Sequence, residues 1–186
     1  MAVAALQQVF DELPEPVAPE ALARNVEMMD DEEIKVELAK ALKGYRKTAA
    51  KWRAEFIAVD IQVMAYLDTH PPATDDERRA VVDELAMRAD QLCEVLEIFR
   101  QVTQKALQDD QDIIEKVRAE RPTLYRYSRK VAVEYENIVK SSFGTFARFY
   151  YQILSLVSEY DTEGRATSPS LETPEDVDAY LAKIAG

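Results

Sequence analysis

The chain has 186 residues and a formal net charge of −12, with four glycines, eight prolines, one cysteine and one histidine. That length suits one domain of ordinary size, able to bury roughly 70% of its unfolded surface if compact. So few glycines exclude a turn-rich fold and a glycine-built phosphate loop, one cysteine excludes an internal disulfide, and the negative charge opposes non-specific attraction to nucleic acid or anionic lipid. Met1 is followed by AVAALQQVF, with neither the basic start nor the cleavage site of a secretory signal, and no stretch of about 18 residues is apolar and uncharged. The expectation is a cytoplasmic protein with no membrane span.

Residues 1–29 read as an arm. Val3, Leu6, Phe10 and Leu13 recur on one face of a short amphipathic helix, which Pro14, Pro16 and Pro19 then stop. A weaker pattern over 20–29 gives another short helix. The first long helix starts at Asp30 or Asp31, where a capping carboxylate precedes Glu32 and Glu33 at the positive end of the helix dipole. Leu38, Leu42, Tyr45, Ala49, Trp52, Phe56, Val59, Val63 and Tyr66 follow at alternating steps of three and four, a heptad seam that ends at His70, Pro71 and Pro72.

Thr74 caps the second long helix, with Asp75, Asp76 and Glu77 in its first turn. Its seam reads Val82, Leu85, Ala89, Leu92, Leu96, Phe99, Thr103, Ala106, Asp110, Ile113 and Val117, and Pro122 closes the helix. Asp110 is the one charge in this seam. A buried lone carboxylate is costly, so the expectation is a splayed or kinked turn there.

The third long helix covers about 123–160, with Leu124, Val131, Tyr135, Ile138, Ser142, Phe149, Ile153, Leu156 and Tyr160 on its seam. Residues 161–173 are linker by composition. Thr173, Pro174, Glu175 and Asp176 then start a final short helix over 174–186 with Val177, Tyr180, Leu181 and Ile184 on one face.

The predicted fold class is therefore all-α. Residues 30–160 form an elongated antiparallel bundle of three long helices with coiled-coil-like packing, each on the order of 60 Å long, and short amphipathic helices sit at both termini. If the two connectors act as equal pivots, the aromatic residues of all three helices fall at one level. The same alignment sets the bases between 38 and 54 against Glu94 and Glu97, and Arg126, Arg129 and Lys130 against the acids between 27 and 33.

Motifs for chemistry are sparse. One histidine and one cysteine cannot furnish a di-iron or zinc ligand set, and Cys93 has Glu94 beside it, which works against a reactive thiolate. Glu94 with Glu97 and Asp109 with Asp112 resemble paired carboxylates able to hold Mg²⁺ for nucleotide hydrolysis, but both pairs lie on one helix. Lys40, Lys43, Lys47 and Lys51 form a line opposite the first seam, a candidate contact for RNA, DNA or an acidic protein surface. No catalytic residue, metal ligand or cofactor is assigned.

The outstanding feature lies in 141–160. Beside the main seam runs a second row, Val139, Phe143, Phe146, Tyr150, Leu154 and Val157, which widens the apolar arc to about 160°; it packs on the first or second long helix, is covered by a fourth helix from a terminal arm, or forms an intermolecular interface. Gly144 beside it would admit another backbone or mark a bend. The expected function is a non-enzymatic protein–protein interaction module: an adaptor, scaffold or chaperone-like bundle that docks a partner protein through this row and through Val177, Tyr180, Leu181 and Ile184. A homodimer is expected. The alternatives are a metal-dependent nucleotide hydrolase using the carboxylate pairs and a nucleic-acid binder using the lysine line.

Overall fold

The computed structural model describes residues 2–15 and 28–162. Among these residues the chain is all-α, with four helices packed against one another: α1 (Ala2–Asp11), α2 (Asp31–Thr69), α3 (Asp75–Glu120) and α4 (Tyr125–Tyr160), the last entered through a 3₁₀ turn at Pro122–Leu124. The second half of the N-terminal arm (16–27) and the expected C-terminal helix at 174–186 lie outside the described residues.

The helix starts follow from local chemistry. Asp30 accepts hydrogen bonds from the backbone N–H groups of Glu32 and Glu33, both at 2.9 Å, while the Glu33 carboxylate accepts one from the Asp30 N–H. Thr74 and Glu77 build the same reciprocal cap on α3. Each cap satisfies donors that the first turn leaves without intrahelical partners. His70 ends α2 and stacks on Tyr66 with ring centroids 4.8 Å apart.

Helix α4 is the centre of the arrangement. It packs along both α3 and α2, which approach one another far less closely. The seams are buried, with two shifts of phase: α2 buries Leu67 more deeply than Tyr66, and α3 buries Ile114 rather than Ile113. The expected break at Asp110 does not occur. α3 is continuous through it, and the Asp110 side chain lies inside with 1% of its surface exposed. The spacing Ala106, Asp110, Ile114 shows how: two successive steps of four keep the helix regular while the inward face drifts.

The aromatic residues share a level as expected, with Trp52 and Phe56 meeting Phe99, Phe146 and Phe149, but the register differs. Tyr45 stacks on Tyr135 at 5.3 Å and Phe56 meets Phe146 at 5.3 Å, so α2 and α4 are offset by roughly ten residues, about 15 Å, from the equal-pivot alignment, while Phe143 on Phe99 keeps α3 and α4 close to it. The expected ion pairs change with it. Arg46 pairs with Glu134 of α4, Glu97 binds Arg100 within α3 at 2.9 Å, and Asp31 takes Arg121 at 2.9 Å and Thr123 at 2.8 Å.

Helix α1 is the fourth wall. Leu6 and Phe10 enter the core between α2 and α3, with Phe10 against Phe149 at 6.1 Å and under the Arg88 guanidinium at 5.4 Å. Polar contacts fix its position. Gln7 donates to Glu84 at 2.9 Å, Arg88 reaches Asp11 at 3.3 Å, and the Trp52 indole N–H donates to the Pro14 carbonyl at 3.2 Å.

Candidate interaction surfaces

The second row of α4 is core. Val139, Phe143, Phe146, Tyr150 and Val157 are buried, and Leu154 is half-buried against the same cluster. Phe143 stacks on Phe99 of α3 at 4.7 Å, while Phe146 packs on Phe56 of α2. Of the alternatives, packing on the other two long helices is the one found, and the row as a partner-docking surface is corrected: α4 lies between two long neighbours, and a helix so placed needs a wide apolar arc. No backbone approaches Gly144 closely either, since a Cβ there would meet nothing within 4 Å. Val177, Tyr180, Leu181 and Ile184 lie outside the described residues.

Beyond the end of α1 the packing is looser. Ala106 and Ile114 of α3 are buried but stand apart from the main cluster, and between α3 and α4 a hollow of about 610 Å³ opens. Leu107, Ile114, Ala132 and Val133 give it apolar walls, Asp110 lines it from the buried side, and Asp112, Glu115, Glu136 and Arg129 stand around its rim. The small side chain of Ala132 and the short one of Asp110 contribute to it, because they leave the facing helices without interlocking bulk. On the outer face of α4 a shallower hollow of about 520 Å³ shares Tyr125, Arg129 and Val133, with Arg126 and Lys130 beside them.

The other candidates are dispersed. Lys40, Lys43, Lys47 and Lys51 all face solvent, but Lys40 and Lys51 have Glu37 at 3.9 Å and Glu55 at 3.5 Å. Glu97 is taken up by Arg100 and Gln101, and Asp112 by Gln108 at 3.1 Å. No group of three or more His, Cys, Asp or Glu side chains able to hold a metal occurs among the described residues. Cys93 is half-buried against the core. No helix among the described residues is long and apolar enough to cross a membrane.

Titration reflects packing. Burial, reinforced by Tyr135, pushes the Tyr45 phenol far above its ordinary range. Burial also raises the Asp60 carboxyl. Asp31 moves the other way, held low first by the Thr123 hydroxyl and then by Arg121.

Sequence reasoning missed a surface on α3. Met87, Val95, Ile98 and Val102 are exposed large apolar residues on one face. Their signal was the spacing of three and four from Val95 to Val102, a second phase running beside the main seam. Comparison of the chain with known protein families, with curated proteins and with solved structures finds no match.

Proposed function

We propose that this protein is a non-enzymatic interaction module, an adaptor, scaffold or chaperone-like helical protein that holds an amphipathic segment of a partner protein. The observation that carries this reading is the hollow between α3 and α4. It joins apolar walls to a rim of both charge signs, with Arg129 against Asp112, Glu115 and Glu136. A helix laid in such a groove buries its apolar face and matches its flanking charges to the rim. The core itself offers no such place, because the second row of α4 is used within the chain. In this reading Val177, Tyr180, Leu181 and Ile184 form a second, tethered contact for the same partner.

The test is affinity capture with three proteins: the full chain, Val133→Glu, and a chain ending at residue 162. A protein retained by the full chain and lost with Val133→Glu supports the reading, and its further loss with the shortened chain assigns the tethered contact. Retention by all three proteins, with helical content unchanged, overturns it.

A further inference from the structure

Met87, Val95, Ile98 and Val102 make a line along the outer face of α3, and Ile98 at its centre is 61% exposed. At about 100° per residue, Gln91, Glu94 and Lys105 fall on the same strip, which lies on the side of α3 away from the hollow. α1 ends at Asp11 beside Arg88, so it does not extend over the strip from Gln91 onward. An exposed line of this kind on a helix already buried along its other face is a second seam.

Exposed charges accompany it: Glu94 precedes Ile98 on the strip with Asp90 at its edge, exposed Lys105 follows, and half-buried Asp109 lies one turn beyond. A second α3 laid antiparallel, with a two-fold axis near Ile98, brings Ile98 onto Ile98 and each Val95 beside the other copy's Val102. By helix rise, Lys105 then lies about 10 Å from the axis, level with Gln91 of the other copy and between its Asp90 and Glu94. The strip is thus self-complementary under a two-fold rotation, as an isologous interface requires. A parallel pairing would set Lys105 against Lys105.

We infer that the outer face of α3 seats a second copy of this chain, antiparallel about an axis near Ile98, with Val95, Ile98 and Val102 at its centre and Lys105 held by Asp90 and Glu94 of the other copy. This rests on the reading of the chain as an interaction protein and gives that protein its assembly surface. Because the strip and the hollow lie on opposite sides of α3, the dimer leaves both hollows open.

Sedimentation equilibrium on the full chain tests the proposal. A reversible dimer is expected, weakened roughly 30-fold or more by Ile98→Glu and about fivefold by Lys105→Glu, with helical circular dichroism unchanged. Adding Asp90→Lys and Glu94→Lys to Lys105→Glu reverses both partners of the Lys105 contact and should restore association. A monomer at every concentration, a dimer indifferent to Ile98→Glu, or a triple variant no tighter than Lys105→Glu overturns the inference. Val133→Glu should leave the dimer intact, which separates this result from the partner test.

Discussion

The two halves of the molecule use the same three long helices and finish them differently. In the half that carries α1, rings from four helices meet: Phe10 on Phe149, Phe149 edge-on to Phe56 at 5.1 Å, Phe56 beside Trp52, and Trp52 at 6.1 Å from Phe99. In the half beyond it α3 turns Thr103, Ala106 and Asp110 inward, and a hollow of about 610 Å³ remains beside α4. Large rings bridge the distance between α2 and α3, whereas a methyl group or a short carboxylate does not. The difference teaches that a heptad seam places a helix face without guaranteeing that the face is filled.

Removing α1 from its groove should have the largest effect on that contrast. Phe10→Ala deletes a ring that is 2% exposed and should cost about 3 kcal/mol. Trp52 is the single tryptophan and donates to the Pro14 carbonyl, so its fluorescence reports directly on the arm. A red-shifted emission and a lower urea midpoint are expected; an unchanged midpoint would mean that α1 contributes nothing to the core.

A pair of identical substitutions sharpens the comparison. Ala89 has no exposed surface, and Ala89→Leu should destabilise by about 1 to 3 kcal/mol through overpacking. Ala132 borders the hollow, and Ala132→Leu should instead stabilise by about 1 kcal/mol by filling it. Urea denaturation of both variants decides the matter. Shifts of the same sign would contradict the assignment of a tight half and a loose one.

The smallest effect concerns the cap region at the far end of the loose half. Asp31 titrates below its ordinary value of 3.8 because Thr123 and Arg121 favour its charged form. A carboxyl lowered in the folded state contributes stability that is complete above pH 3.8 and is lost as the pH falls through the folded value. Asp31→Asn should therefore lower the urea midpoint in neutral solution and leave it unchanged in strongly acid solution. A difference that persists in acid would assign the effect to shape rather than charge.

Much of the fold was legible along the chain. Asp30 with Glu33 and Thr74 with Glu77 announce helix starts through a hydrogen-bond pattern closed within four residues, and the prolines near 71 and 122 announce the stops. The seams were readable because burial repeats with the helix period. Ile114 was misread as Ile113, and Asp110 as a break, because the period drifts where successive steps of four occur and a strict heptad count does not follow it. The strip on α3 was legible in the spacing of Val95, Ile98 and Val102, yet a dominant seam on the same helix concealed it.

The apolar row from Val139 to Val157 marks the limit of that reading. The sequence by itself determined that this row is apolar, how wide its arc is and which way it points, because side-chain direction follows from helix phase alone. Tertiary structure alone decided what covers it. Phe99 and Phe56 come from segments more than 40 residues away, and the meeting of Phe10 with Phe149 spans most of the chain. Such pairings depend on how far each helix slides along its neighbours, a displacement of about ten residues between α2 and α4 here, and no local rule of phase or capping sets it.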